Sequence, residues 1–198
     1  MKNIICLLLI ITTVQANAQK FHYSARAGLN LADKTNTSGS FKTGLNFGAS
    51  AEYMVMKKLA VELGAYYSMQ GSRFKFANTD LVHNYVNFPL LVKVFVFKGL
   101  NVFAGPQLGL KANVNKQIFG SKEFEDRRTD GDMVKPTDIS AVIGAGYLLD
   151  NGFFVSTNVN WGFTTTAKGW FMHEGTYYPV DNELFKNLVM QFNFGYRF

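Results

Sequence analysis

Residues 187–198 read Asn-Leu-Val-Met-Gln-Phe-Asn-Phe-Gly-Tyr-Arg-Phe. Leu188, Met190, Phe192, Phe194, Tyr196 and Phe198 share one parity, and Gln191, Asn193, Gly195 and Arg197 share the other. Successive side chains of a strand point to opposite faces, whereas a helix repeats every three to four residues. The stretch therefore predicts a strand with one wholly apolar face.

Working back from it, the same pattern recurs in seven further segments: Phe21–Leu31, Phe41–Val55, Leu59–Met69, Leu81–Phe97, Asn101–Val114, Asp138–Leu149 and Phe153–Phe163. In the first, Phe21, Tyr23, Ala25, Ala27, Leu29 and Leu31 oppose His22, Ser24, Arg26, Gly28 and Asn30. In the third, Leu59, Val61, Leu63, Ala65 and Tyr67 oppose Glu62, Gly64, Tyr66 and Ser68. Segments of about ten residues match what a tilted strand needs to cross a bilayer. An even number of antiparallel strands can close, leaving no unpaired edge in lipid.

The connections alternate in length. Met56-Lys57-Lys58, Lys98-Gly99-Leu100 and Asp150-Asn151-Gly152 are tight turns, whereas the segments around 32–40, 71–80, 115–137 and 164–186 are long and polar. Short periplasmic turns and long extracellular loops characterise outer-membrane barrels. A soluble eight-stranded barrel also alternates. The charge distribution separates the two: the apolar parity of these segments carries no Asp, Glu, Lys or Arg. Water would tolerate charges there, and lipid penalises each by about 2–4 kcal/mol at mid-depth. The expected fold is thus all-β, a single eight-stranded antiparallel up-and-down transmembrane barrel over residues 19–198. Inward glycines are expected to make room for Tyr66, Phe103 and Phe154. Pro89 and Pro106 each delete a ladder donor and are expected to mark bulges or bends.

The ends agree with export. Met1-Lys2-Asn3 is a short positive region, Ile4–Val14 is apolar but too short to span as a helix, and Ala16-Asn17-Ala18 is an A-x-A cleavage site. Residues 1–18 are therefore expected to be a cleaved signal peptide. Cys6 stands near the start of the apolar run, whereas a lipid-attachment cysteine follows its end, so a lipoprotein is disfavoured. Cys6 is the one cysteine, so the mature chain has no disulfide, thiolate nucleophile or cysteine-based metal site. Phe192, Phe194, Tyr196 and Phe198 form the kind of aromatic terminal strand that barrel-assembly machinery reads. The expected location is the outer membrane of a Gram-negative cell, in contact with its lipid and lipopolysaccharide.

Three stretches carry a family resemblance. Tyr85-Val86-Asn87-Phe88-Pro89-Leu90-Leu91-Val92-Lys93 resembles the Y-L-x-I-P-L-L-x-K strand of the PorT-like outer-membrane β-barrel family. Ala104-Gly105-Pro106-Gln107-Leu108-Gly109 is similar to its A-G-P-x-x-G strand, and Asp138–Tyr147 to its D-x-G-x-x-x-G-A-G strand. Ala27-Gly28-Leu29-Asn30 also fits. The resemblance implies an eight-stranded barrel mostly without assigned activity, whose founding member takes part in protein secretion and maturation. It implies no catalytic residues.

Chemistry-bearing groups are few. Glu52 and Glu62 are expected to oppose each other across the hairpin centred on Lys57, both inward, where two ionised carboxylates repel. Arg26, Lys93 and Arg197 also point inward, and a salt-bridge network filling a narrow lumen is the plain reading. A proton-sharing or gating site is the sharper one. Acyl-chain chemistry needs a histidine-activated serine. His22 and Ser24 face the lumen, His83 and His173 lie near the outside, and Ser121 and Thr164-Thr165-Thr166 have no evident partner. The three histidines share no ligand spacing, so neither a metal nor a cofactor is expected. The mixed-charge run Lys122–Arg128 reads as solvated loop, and net charge +6 without a clustered basic stripe gives no nucleic-acid signature. Trp170, Phe171, Tyr177 and Tyr178 are candidates for loop contacts with a partner or with the barrel mouth. The favoured function is a non-enzymatic scaffold or interaction module, with an envelope complex as partner. A narrow solute channel is the alternative, and a lipid-modifying enzyme comes third.

Overall fold

The computed structural model describes residues 20–35, 39–74, 79–112, 135–165, 170–173, 176–179 and 186–198. Its strands are β1 (Phe21–Lys34), β2 (Gly39–Met56), β3 (Leu59–Phe74), β4 (Thr79–Phe97), β5 (Leu100–Lys111), β6 (Thr137–Leu148), β7 (Phe153–Thr165), β8 (Trp170–His173), β9 (Thr176–Pro179) and β10 (Lys186–Arg197). Eight of them close into an antiparallel barrel in the order β1-β10-β7-β6-β5-β4-β3-β2, and β8 and β9 form a separate two-stranded sheet. The closing seam is the terminal stretch: β10 pairs with β1 from Ser24↔Arg197 to Lys34↔Asn187.

The parity assignment holds on every barrel strand. Phe21, Tyr23 and Leu29 of β1, Leu63 of β3, Ile143 of β6 and Phe192 and Phe194 of β10 are exposed, while their sequence neighbours are buried or half-buried. Ile143 reaches 67% exposure, which water would penalise and acyl chains do not. On β7 the outward residues run from Phe153 to Phe163. At about 3.4 Å per residue and a tilt near 40°, they cover roughly 25 Å, the height of an outer-membrane apolar band. Aromatic rings gather at the short-turn end of that band: Phe21 lies 4.8 Å from Tyr53, and Phe153 lies 5.5 Å from Phe194 and 5.0 Å from Tyr196. Such girdles sit at the headgroup level, where an amphipathic ring meets both lipid and water.

Several strands run further than the alternation predicts. β1 continues to Lys34, β2 starts at Gly39, β3 reaches Phe74 and β4 starts at Thr79, so the connections around 32–40 and 71–80 are mostly strand. Periodicity fades there because the strands rise past the lipid and both faces turn polar. Asp33 consequently falls on the outward parity, at the rim, so the charge-free face ends at the membrane boundary. The segment 164–186 contains the β8–β9 hairpin. β5 ends at Lys111, short of Val114.

The prolines do not create bulges. Pro89 pairs with Gln107 and Pro106 with Ala141 in uninterrupted register. The register shifts lie elsewhere, at Phe41/Asn46, Met54/Met56, Phe95/Phe97 and Lys186/Leu188. Pro89 is fully buried and Pro106 faces out; the β4–β5 bridges lapse across Leu90–Leu91 and Gly105–Pro106, and the β3–β4 bridges lapse across Phe88–Pro89, without a change of register at either place. Each missing N–H is absorbed by a local lapse in bridging instead of by an extra residue.

Inside, glycines face the large rings. A Cβ on Gly48 would meet Tyr66 Cδ1 at 2.7 Å, and one on Gly144 would meet Phe103 Cζ at 2.6 Å. Gly195 stands in the same way to Phe154, at 2.7 Å from Cε1. Eight strands leave room for one layer of large side chains only if the facing positions are bare.

Candidate functional site

The lumen is filled in three polar layers. Nearest the short turns, Glu52 and Glu62 are direct cross-strand partners on β2 and β3. Both are buried, and an isolated pair of this kind would repel. β4 resolves the conflict by placing Lys93 between them, with Nζ 2.8 Å from Glu52 Oε2 and 2.5 Å from Glu62 Oε2. From β10, Arg197 Nη1 donates to Glu52 Oε1 at 3.0 Å. Tyr66 OH donates to Glu62 Oε1 at 3.2 Å. Arg26 lies over the Tyr66 ring, 3.7 Å from its centroid, a cation–π contact. Thus five strands bring together the five charged residues singled out by the sequence. Four form an ion-pair chain, and Arg26 joins them through an aromatic face.

The middle layer is amide-rich. Asn30 Oδ1 accepts from Asn46 Nδ2 at 2.8 Å and from Gln191 Nε2 at 2.9 Å, while Asn30 Nδ2 donates to Ser68 Oγ at 2.9 Å. Asn158 Nδ2 donates to Gln191 Oε1 at 3.0 Å, and Asn193 Nδ2 to Asn158 Oδ1 at 3.1 Å. Amides supply donor and acceptor in one side chain, so they link strands to one another without charge.

The third layer was not foreseen. Asp138 of β6 accepts from Asn187 Nδ2 through Oδ2 and from Thr164 Oγ1 through Oδ1, both at 2.8 Å. Lys34 Nζ donates to Asn187 Oδ1 at 2.5 Å. The signal existed: Lys34 continues the inward parity of His22 to Asn30, but the run was expected to stop at Leu31. Thr164 thereby has a fixed partner, contrary to the expectation, and that partner is a carboxylate instead of a base-activating histidine. Between the layers, Leu91, Phe103 and Val142 form a small apolar core.

Space inside is correspondingly scarce. Ser24, Arg26, Tyr66, Phe103, Ser156 and Arg197 border a cavity of ≈ 30 Å³. A wider bowl of ≈ 870 Å³ opens at the short-turn mouth, bordered by His22, Lys57, Lys58, Lys98, Asp150 and Phe198. No group of three metal-ligating side chains occurs among the described residues. Residues 15–168 match the family described as "Outer membrane protein beta-barrel domain". The chain belongs to this family. It is an outer-membrane protein, and the charge-free outward face is the surface that its lipid covers.

Solved outer-membrane proteins align with the chain at low identity. OprG from Pseudomonas aeruginosa aligns with a TM-score of 0.50 at 13% identity, covering 90% of this chain and 96% of that one. Neisserial surface protein A aligns at 0.49 and 13%, covering 89% and 95%, and the E. coli outer membrane protein W at 0.44 and 17%, covering 90% and 98%. At such identity the likeness to OprG is one of fold alone. No curated protein matches the sequence.

Within this family member the remaining candidates are placed as follows. Phe192, Phe194 and Tyr196 lie outward on β10. Phe198 follows that strand, its backbone N–H donating to Tyr23 O at 2.8 Å and its ring 5.1 Å from Tyr196. Trp170, Phe171, Tyr177 and Tyr178 lie on the β8–β9 hairpin, with Phe171 paired to Tyr178. The side chains of these four, and those of His83 and His173, lie outside the described residues, as do residues 1–18, where a signal peptide was expected, Ser121 and the run Lys122–Arg128.

Proposed function

We propose that this outer-membrane barrel acts as a non-enzymatic scaffold or interaction module of the cell envelope rather than as a pore. One observation carries the proposal: charged, amide and Asp138–Asn187–Lys34 layers occupy the lumen at successive heights. Opening a path through them requires separating Lys93 from both glutamates. That strands buried charges without partners, at a cost of several kcal/mol. The hydroxyls with fixed partners bond to carboxylates or amides, which supports a structural role for them. Function then falls to the exposed ends, where loops carry recognition in rigid scaffolds.

The stretches Tyr85–Lys93, Ala104–Gly109 and Asp138–Tyr147 favour a PorT-like role, with a partner in envelope protein secretion or assembly. Barrel-assembly machinery is the partner during biogenesis, through Phe192, Phe194, Tyr196 and Phe198. Affinity capture of the full-length protein from its own outer membrane in mild detergent, followed by mass spectrometry, tests the proposal. The expected result is stoichiometric co-purification of an envelope protein, lost when residues 166–185 are replaced by a short linker. Recovery of the barrel alone under all conditions overturns it.

A further inference from the structure

The short-turn layer has more positive than negative charge, and it borders a space. Its cavity is bordered by Arg26, Lys93 and Arg197 against Glu52 and Glu62, three cations to two carboxylates. All four carboxylate oxygens are already engaged, by Lys93 twice, by Arg197 and by Tyr66 OH. Arg26 receives none of them. Its flat face rests on Tyr66, and its buried Nε has no hydrogen-bond partner. A buried cationic donor without an acceptor is costly. Asp150, the other nearby negative side chain, borders the outer bowl and not the cavity.

We propose that the cavity beside Arg26 binds one small monovalent anion, of the size and charge of chloride. At ≈ 30 Å³ it holds one or two water-sized species and excludes phosphate or sulfate. The anion balances the third cation and accepts from the Arg26 guanidinium, and the Ser24 and Ser156 hydroxyls at the cavity wall can donate to it. The route in is the short-turn bowl, which shares Phe95, Leu148 and Arg197 with the cavity. Its rim bears Lys57, Lys58, Lys98 and Arg197 against Asp150, and a mouth with a positive surplus concentrates anions. The site adds to the sealing of the lumen and does not depend on which partner the barrel has.

Two measurements on the refolded full-length chain test it. Crystals soaked in sodium bromide and measured at the bromine edge are expected to show an anomalous peak in the cavity beside Arg26. A cavity holding only water overturns the proposal. In urea titrations at constant ionic strength, replacing gluconate by chloride is expected to raise the unfolding midpoint, and Arg26→Gln is expected to abolish that shift. Equal midpoints for the wild-type protein in the two salts overturn the proposal, as does an undiminished shift in the variant. Should Arg26→Gln not fold, the bromide experiment and the wild-type titration decide without it.

Discussion

Replacing Lys93 by methionine isolates the energetics of the lumen. Methionine keeps the length and apolar stem of the side chain and removes the ammonium that lies 2.8 Å from Glu52 and 2.5 Å from Glu62. Glu52 retains Arg197 at 3.0 Å, so it stays compensated. Glu62 keeps only the Tyr66 hydroxyl bond and the more distant charge of Arg26. Directly opposed strand residues have Cβ atoms roughly 5 Å apart, so the two carboxylates then repel across that gap. Breaking a buried pair by removing one partner costs about 3–5 kcal/mol, and with Glu52 still paired the lower end, about 3 kcal/mol, applies. Urea unfolding in detergent micelles, followed by the fluorescence of Trp161 and Trp170, measures the loss as a fall in midpoint at constant slope. Adding Glu62→Gln to Lys93→Met removes the orphaned charge and should restore most of the stability, a coupling that the double-mutant cycle reads directly. A single variant within about 1 kcal/mol of wild type, or a double variant no better than the single, refutes the claim that Lys93 holds the carboxylate pair together.

Other expectations concern the wall and the ends. Leu63→Arg, on an outward side chain 58% exposed at mid-strand, should cost about 2–4 kcal/mol in lipid vesicles, whereas Met56→Arg at the short-turn rim should cost about 0–1 kcal/mol. Unfolding titrations that rank them the other way would invert the membrane boundary. Gly144→Leu drives a side chain into Phe103 and should destabilise by about 1–3 kcal/mol or more, with Phe103→Ala relieving part of the strain in the same assay. Phe198 is 74% exposed and holds the seam by one backbone bond to Tyr23 and one ring contact, so its deletion should lower refolded stability by only about 1 kcal/mol while cutting the folded fraction in cells, seen as heat-modifiable migration on gels. Normal insertion in cells without Phe198 would remove its role as an assembly signal.

The wall of the barrel was legible in the sequence because lipid acts on every outward residue alike. A medium that rejects charge writes a parity rule residue by residue, and Phe21 to Leu31 or Leu188 to Phe198 can be read without knowing their neighbours. The rule loses force where lipid ends. That is why β1 was expected to stop before Lys34 and β4 to begin after Thr79. The lumen was legible only in part. Parity placed Glu52, Glu62, Arg26, Lys93 and Arg197 inside, and a hairpin centred on Lys57 set the two glutamates opposite each other. Which cation serves which oxygen depends on strand stagger, which parity does not carry. Lys93 bridges both glutamates because its position on β4 pairs with Ala60, two residues from Glu62. Asp138, Asn187 and Lys34 meet across three strands distant in sequence, so nothing local marks them as a layer. The bulge half of the proline expectation failed for a related reason. A missing donor suggests a bulge, but the register at Pro89 and Pro106 is fixed by the flanking pairs, which the turn at Lys98 and Gly99 sets in phase.

The central claim is that the lumen is closed by its own side chains, and planar-bilayer conductance of the purified, refolded full-length barrel tests it most directly. The account predicts a quiet baseline for the wild-type protein across a broad voltage range. Steady single-channel openings from the wild-type protein, with the Lys93–Glu52 and Lys93–Glu62 pairs intact, would contradict it.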